Sequence, residues 1–554
     1  MKTDRSRFYI MSIVFSAIFI ALLPVILSSN YIRQDDLMWE IWPGMRMSDF
    51  GYLYYNTVFQ LVRPLCMLSF YLTDLISINI NNAVYVRLMS VLILCSLGVM
   101  LYWWQLCFNN NRLLAAIFAI AAFTLPPYQV FAATGNYSLI ITALLLTFIS
   151  AFSWYHYFRS NSRTVSKWYL HLGSLLFFLS LLEYPLSSMY LWALLAICYL
   201  NNLHTNEPYK TNNNRFILNT SLMIISLMIA YYIASRIFHL IFHVDLSTGR
   251  AAVIDTSHLF ARLLQVAQVL SWHADLWFWK NTHSLLLSPI FLIAALFIIA
   301  LLQTHKNEMK RFSKIMMTLT ITVIFFFLAY SPILATSDVQ ITYRYALVTM
   351  PIILYVLLWS INTIVNSYSN NHIYPILTKI RTLFLFIACC IGICYSNLMI
   401  ADGIVGPHSQ DFTYIQQQLS EKVVPLLNEN KKVVIHAIDC DQGNRYFGYN
   451  APGMEYGMRI CQYQQQIIGV IIHSLNKFGF ASNYQRHNQV IYNDKEIVVK
   501  DTPWGTLVVN SSNSNTTATK YANKNTSIIT IDTHDMPPYQ PYSFYKELLG
   551  IRRT

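Results

Sequence analysis

Charged side chains are scarce in this sequence. Asp, Glu, Lys and Arg make up 12% of its 554 residues, whereas a soluble globular protein has about 25%. Hydrophobic residues make up 55%, and apolar runs of about 20 residues recur along the chain. This composition excludes an ordinary soluble protein and predicts several membrane-spanning helices. The net charge of +12 then reflects the Lys and Arg bias of cytoplasmic loops, so we expect no nucleic-acid partner.

Several recognisable motifs are also missing. No nucleotide-binding motif is evident, and the nine cysteines show no spacing typical of a metal site. No internal repeat indicates a transporter with duplicated halves. Seven cysteines lie in or beside apolar runs, which is typical of packing residues. For Cys440 and Cys461 we expect a disulfide in an oxidising compartment, with two free thiols as the alternative.

Eleven apolar segments are predicted to span a membrane. They cover residues 8–28, 84–106, 112–132, 136–157, 168–183, 186–200, 216–242, 284–303, 312–334, 344–365 and 380–402. The first follows the basic leader MKTDRSR, but its length and the lack of a clear cleavage site favour a retained helix over a signal peptide. Residues 53–80 are amphipathic and carry Arg63 and Asp74, so we interpret them as a helix on the membrane surface.

Lysine and arginine residues in the short loops predict the orientation. With the N-terminus in the cytoplasm, every basic short loop falls on the cytoplasmic side, as the positive-inside rule requires. An additional span at 53–80 would move every later loop to the opposite side of the membrane, so the basic loops would fall outside. The outside then comprises residues 29–83, 133–137, 183–185, 243–283, 335–343 and everything after about 403.

The composition changes after residue 402. VVIHAI, QVIYNDKEIVVKD and TLVVN are short β-like runs, and helical stretches alternate with them. We therefore predict two domains: a transmembrane module at 1–402 and a periplasmic C-terminal α/β domain at 403–554.

Acidic residues of the first outside loop are the first candidates for chemistry. Asp35 and Asp36 are adjacent, and Glu40 follows four residues later, so in a helix Asp36 and Glu40 would share a face. A carboxylate can take a proton from a hydroxyl nucleophile, and the aspartate pair would also allow a divalent cation such as Mg2+ or Mn2+. The alternative is an ordinary solvated loop, which the neighbouring tryptophans and the length of the loop argue against.

Basic and aromatic residues of the same outside loops are candidates for substrate binding. Arginine and lysine can bind a phosphate, and aromatic rings can stack on a sugar. The candidates are Arg63, Arg250, Trp272, His273, Lys280, Tyr343 and Arg344. Two alternatives stay open: the run WHADLWFWK is also typical of an aromatic belt, and Arg344 of an arginine that extends to the membrane interface.

Together these features resemble the integral-membrane glycosyltransferases of the GT-C class. The shared features are a cytoplasmic N-terminus, one span, a long outside loop with an Asp-Asp pair, and the Arg63-Pro64 motif that follows it. The span count and the outside C-terminal tail are similar to those of the Gtr-type O-antigen glucosyltransferases of serotype conversion. The resemblance covers about the first 400 residues in architecture.

The resemblance implies an activity. An inverting glycosyltransferase of the bacterial inner membrane would move a sugar, here glucose, from undecaprenyl phosphate to an O-antigen hydroxyl in the periplasm. Asp35 or Asp36 would act as the general base, and the phosphate would bind near Arg63, Arg344 or Lys280. No cofactor is required, and a divalent cation is optional. The expected partners are the lipid donor, the O-antigen of lipopolysaccharide and the bilayer.

Three other functions fit parts of the pattern. An O-antigen polymerase or ligase would use arginines of large periplasmic loops, here Arg250 and Arg344, rather than an acid of the first loop. A lipid A glycosyltransferase would share the fold. A transporter of lipid-linked sugars would need charges in the middle of the membrane, whereas the predicted spans are mostly uncharged.

Overall fold

The computed structural model describes most of the helical part of the chain and the centre of its C-terminal part. The described residues are 2–26, 58, 62–66, 68–69, 83–108, 111–133, 138–159, 163–204, 209–244, 259–277, 289–306, 311–334, 346–369, 373–400, 406–438, 464–480, 489–493, 496–502, 504–510, 520, 522 and 526–532.

Helices make up the described structure up to residue 400. Their bounds are α1 Lys2–Ile26, α2 Ala83–Leu106, α3 Arg112–Phe123, α4 Pro126–Ala133, α5 Ser138–Arg159, α6 Arg163–Glu183, α7 Pro185–Ser188, α8 Tyr190–Asn202, α9 Tyr209–Ile241, α10 Leu259–His273, α11 Ile290–Thr304, α12 Arg311–Ala329, α13 Ser331–Leu334, α14 Ala346–Asn366 and α15 Tyr374–Ile400. Each of the eleven predicted spans overlaps one of these helices or two consecutive ones.

Seven of the described helices are long and apolar enough to cross a membrane, and the bent pair α3 and α4 would be an eighth. The chain is therefore a multi-pass helical membrane protein. Helices α8 and α11 have 13 and 15 residues, shorter than the roughly 20 that a straight span needs. The count of eleven spans stays a prediction.

The bend between α3 and α4 has a local cause. The two helices meet at 58°, and α4 begins at Pro126, whose ring leaves no N–H to continue the helical ladder. The Thr124 hydroxyl donates to the Ile120 carbonyl oxygen at 2.8 Å, and the Gln129 amide donates to the Thr124 carbonyl oxygen at 2.7 Å. The Gln129 side chain thus satisfies the Thr124 carbonyl oxygen at the break, as a dry interior requires.

Contacts between distant loops define one end of the helix bundle, which we call the basic end. Its links are Arg112 to Ser6 at 2.9 Å, Tyr155 to Cys107 at 3.2 Å, Phe216 beside Phe158 and Trp104, Asn202 to Lys210 at 3.1 Å, His204 to Thr363 at 2.9 Å, and Arg381 to Asn362 at 2.5 Å. Arg112, Lys210 and Arg381, which belong to loops that the sequence assigned to one side of the membrane, lie at this end.

Helix α10 lies in the segment 243–283, for which the sequence predicted only an outside loop. The distribution of its side chains is the opposite of that in a surface helix of a soluble protein. Phe260 and Leu264 are 74% and 58% exposed, while Arg262 is buried. The buried side packs Val266 and Val269 against Tyr330. An exposed apolar face that extends over at least one helical turn is typical of a helix in contact with lipid.

The C-terminal part forms a mixed sheet with helices on one face. Its elements are α16 Gly406–Lys422, α17 Val424–Asn428, β1 Val433–Ile438, α18 Gln464–Lys477, β2 Gln489–Asn493, β3 Glu496–Thr502, β4 Gly505–Asn510 and β5 Ser527–Asp532. The strand order is β2-β3-β4-β1-β5, with β1 parallel to both β4 and β5, and β3 antiparallel to β2 and β4. The apolar run of β1 is buried along its whole length, as expected for a central parallel strand. The periplasmic location of this part stays a prediction.

Gly505 permits the close approach of β4 to β1. Its φ of +138° lies outside the range that L side chains favour, and an added Cβ would lie 1.9 Å from the Val433 carbonyl oxygen. The β1–β4 pairing that begins at this glycine is therefore incompatible with a larger residue at that position.

Candidate functional site

Most of the predicted site residues lie outside the described residues. These are Asp35, Asp36, Glu40, Arg250, Lys280, Tyr343 and Arg344, together with the predicted disulfide partners Cys440 and Cys461. The backbone of Trp272 lies in α10, but its side chain is also outside the described part. Arg63 and His273 are the predicted site residues whose side chains can be placed.

Arg63 lies against an aromatic ring. Its guanidinium carbon is 5.0 Å from the ring centre of Tyr184, within the range of a cation–π contact. The Nε atom is buried and has no hydrogen-bond partner among the described residues. No described carboxylate forms an ion pair with Arg63. The guanidinium charge is thus only partly compensated within the described part of the protein.

A buried acid lies next to Tyr184 in the chain. Glu183 is 2% exposed, and its Oε1 accepts a 2.7 Å hydrogen bond from the Ser69 hydroxyl. Burial raises the pKa of Glu183 to about 7, and the Ser69 hydrogen bond opposes that rise. The carboxyl group of this turn therefore changes charge near neutral pH.

The turn between α6 and α7 places the side chains of Glu183 and Tyr184 against the segment that contains Arg63 and Ser69. Tyr184 is extended, with φ −153° and ψ 95°, as expected for a residue that precedes a proline at the first position of a helix. Helix α6 ends at Glu183, so the two consecutive side chains diverge. The Glu183 side chain reaches Ser69 and the Tyr184 ring reaches Arg63, six residues earlier in the same segment.

Val62 immediately precedes Arg63 and has an unusual backbone. Its φ is +50°, which is a steric outlier for a β-branched residue. The Tyr231 hydroxyl of α9 donates to the Val62 carbonyl oxygen at 3.4 Å. Such strain persists only where the surroundings hold the backbone in place.

Cys66 is close enough to both charged groups to interact with each of them electrostatically. Burial raises the pKa of the Cys66 thiol to about 12, the charge of Arg63 lowers it and the charge of Glu183 raises it. The thiol therefore stays protonated and is a packing group of the site. We call Val62, Arg63, Cys66, Ser69, Glu183, Tyr184 and Tyr231 the Arg63 cluster.

The Arg63 cluster lies at the end of the bundle opposite the basic end. Helix α6 begins at Arg163, four residues after the end of α5 at the basic end, and runs 21 residues to Glu183. This length corresponds to about 30 Å. The cluster and the basic loops are therefore separated by the full length of a helix.

His273 is engaged in a buried hydrogen-bond network. Its Nδ1 lies 2.7 Å from the Thr349 hydroxyl and 2.9 Å from the Tyr330 hydroxyl, and the side chain is 3% exposed. Burial lowers the pKa of His273 to about 3, so the ring is neutral. The network joins α10 to α14 and to the turn after α12, which is a packing arrangement.

The run WHADLWFWK contributes one indole whose side chain is described. Trp277 is buried, and its ring packs so closely on α15 that a Cβ at Gly392 would lie 2.6 Å from it. At this position the tryptophan is part of the helix bundle, rather than of an aromatic belt or an exposed sugar platform.

Among the described residues no group of three or more His, Cys, Asp or Glu side chains could hold a metal ion. The seven described cysteines are free thiols. The predicted cation site at Asp35 and Asp36 lies outside the described part of the chain.

Glu183 carries only a weak signal in the sequence, which allows either an ordinary outside turn or a neighbour of the catalytic site. Glu183 is a single acid between two apolar runs, directly before a Tyr-Pro pair, and such a position is also typical of an ordinary turn. Only its contact with Ser69 distinguishes it.

The fold places the chain in the class of multi-pass helical membrane proteins with a mixed α/β C-terminal part. No protein-family model matches the chain, and no curated protein is significantly similar to it.

Proposed function

We propose that the protein is a glycosyltransferase of the bacterial inner membrane that moves glucose from undecaprenyl phosphate to an O-antigen hydroxyl in the periplasm. The observation that carries this proposal is Arg63, a half-buried arginine whose Nε atom is buried and which has no described carboxylate partner. A buried charge is costly unless a counter-ion or hydrogen bonds compensate it. The phosphate of a lipid donor would supply that compensation.

The position of the Arg63 cluster supports the proposed side of the reaction. If the basic end faces the cytoplasm, as the predicted topology has it, the opposite end of the bundle faces the periplasm. Segment 62–69 and the Glu183–Pro185 turn both belong to the predicted outside loops. A lipid phosphate at that surface and a periplasmic polysaccharide would meet there.

The proposed chemistry is a single displacement. The carboxylate of Asp35 or Asp36 takes the proton of the acceptor hydroxyl, and the hydroxyl oxygen forms a bond to the anomeric carbon with inversion. The bond from that carbon to the phosphate oxygen breaks, and its electron pair leaves with the phosphate. Arg63 stabilises the phosphate charge, together with Arg344 or Lys280.

Purified full-length protein with undecaprenyl-phosphate glucose and O-antigen tests the proposal. We expect glucose transfer, its loss on Asp35→Ala or Asp36→Ala, and a KM for the donor about 10- to 100-fold higher on Arg63→Ala, from the loss of charged hydrogen bonds. Transfer of another sugar would retain the class and exclude the glucosyl subfamily. Full activity of both aspartate variants would favour the polymerase or ligase alternative.

A matched experiment in cells identifies the product. We expect the mass of the surface polysaccharide to rise by one hexose per modified repeat when the gene is present, and not when it carries Arg63→Ala. An unchanged O-antigen with a modified lipid A would favour the lipid A alternative.

A further inference from the structure

Glu183 is a buried acid to which the proposed displacement assigns no role. It accepts its hydrogen bond from Ser69, which belongs to the same short segment as Arg63. An isolated buried carboxyl group is unfavourable, so its retention at this position calls for a physical explanation.

Described side chains contact segment 62–69 at Val62, Arg63 and Ser69. Tyr231 donates to the Val62 carbonyl oxygen, the Tyr184 ring contacts Arg63, and Glu183 accepts from Ser69. Two of the three contacts come from consecutive residues at the end of α6. Because the Nε atom of Arg63 has no hydrogen-bond partner among the described residues, we infer that the position of Arg63 depends on the contacts that hold this segment.

We propose that Glu183 is a positioning residue of an anion site centred on Arg63, which it holds through Ser69, and that the anion is the phosphate of a polyprenyl phosphate. The identity of the lipid rests on the proposed function. The positioning role rests on the contacts of Glu183 and Ser69.

The charge of Glu183 has two opposing effects on such a site. A carboxylate strengthens the hydrogen bond from Ser69, since charge-assisted bonds are roughly twice as strong as neutral ones. It would also repel an anion. The carboxylate contacts Ser69, six residues along the segment from Arg63, whereas the anion would bind at the guanidinium itself. We therefore expect the stronger hydrogen bond to dominate.

Glu183 is the group of the cluster that titrates between acid and neutral pH, because burial raises its pKa to about 7. Burial raises the pKa of the Cys66 thiol to about 12, so the thiol stays neutral over this range. The phosphate monoester also titrates, near pH 6, but equally for every variant. The ratio of two variants at one pH therefore isolates Glu183.

The experiment measures the Kd of undecaprenyl phosphate for the full-length protein in lipid nanodiscs, at about pH 5.5 and about pH 8. The variants are Glu183→Gln, which mimics the neutral acid, and Ser69→Ala. The matched control is Ser180→Ala, which removes a buried hydroxyl that bonds to Ser188 at the same turn. At the higher pH we expect Glu183→Gln and Ser69→Ala to bind about fivefold more weakly than wild type, and Ser180→Ala to bind equally. At the lower pH we expect Glu183→Gln to match wild type.

Several results would overturn the inference. Equal or tighter binding by Glu183→Gln at the higher pH would show that the hydrogen bond does not position Arg63. A wild-type protein that binds no undecaprenyl phosphate would remove the anion site itself. A wild-type protein that binds the lipid but transfers no sugar would refute the glycosyltransferase alone, and the Kd ratios would still decide the role of Glu183. If Glu183→Gln fails to fold, Ser69→Ala provides the same comparison at the higher pH.

Discussion

The guanidinium carbon of Arg63 lies 5.0 Å from the ring centre of Tyr184, in a segment and a turn that are far apart in the chain. The contact brings a predicted phosphate ligand beside the acid that the sequence prediction left out. It also makes the ring, rather than a carboxylate, the described partner of the arginine, so the charge of Arg63 remains available to a substrate anion.

Replacement of the ring should weaken this arrangement. We expect Tyr184→Leu to lose about 0.5–2 kcal/mol of stabilisation from the cation–π contact, and to raise the donor KM by a few fold as Arg63 becomes less fixed. Tyr184→Phe keeps the ring and is the matched control, for which we expect near wild-type values. Thermal unfolding in detergent and donor titration measure the two effects. Equal loss in both variants would assign the effect to the hydroxyl instead.

The raised pKa of Glu183 predicts a pH dependence of stability. The folded protein holds this proton more tightly than the unfolded chain. The protonated Glu183 therefore contributes fully to the free energy of unfolding below the usual pKa of about 4.5, and this contribution is lost as the pH rises to about 7. Across this interval the free energy of unfolding falls by on the order of 3 kcal/mol. We expect Glu183→Gln, which cannot ionise, to gain stability relative to wild type over this interval. Chemical unfolding at several pH values tests this, and a constant difference across the interval would contradict it.

His273 should matter for stability rather than for donor binding. We expect His273→Ala to destabilise the protein by about 1–3 kcal/mol, because it leaves the buried hydroxyls of Tyr330 and Thr349 without the imidazole. The donor KM should not change. Thr349→Val removes a single hydroxyl of the network and should cost less. A higher KM with an unchanged melting temperature would instead support the predicted role of His273 in substrate binding.

Helix α10 should contact lipid. In a variant without other cysteines, we expect Phe260→Cys to react with a water-soluble maleimide roughly tenfold more slowly than Lys431→Cys, since a thiol in lipid forms little thiolate. The side chain of Lys431 is 53% exposed and lies on the C-terminal part, which makes it a suitable control. Equal rates would place α10 in water, as the loop predicted from sequence requires.

Hydropathy and charge predicted the helical segments well, because transfer from water to lipid is a property of each segment by itself. All eleven predicted spans overlap helices, and the contacts at the basic end agree with the predicted grouping of the loops. Helix α10 escaped prediction because its sequence mixes polar residues with an apolar face that only the bundle exposes. For the α/β tail, the apolar run of β1 was recognisable, but its parallel partners are separated by long stretches of chain and could not be inferred.

The sequence by itself determined that this chain is a multi-pass helical membrane protein, and it predicted that the basic loops share a side, since both inferences follow from local composition. Tertiary structure decided which polar side chains meet. It paired Ser69 with Glu183 and Arg63 with Tyr184, and it placed His273 within a packed network. The physical reason is that such pairs depend on how helices distant in sequence pack, and neither partner carries a local signal of the other.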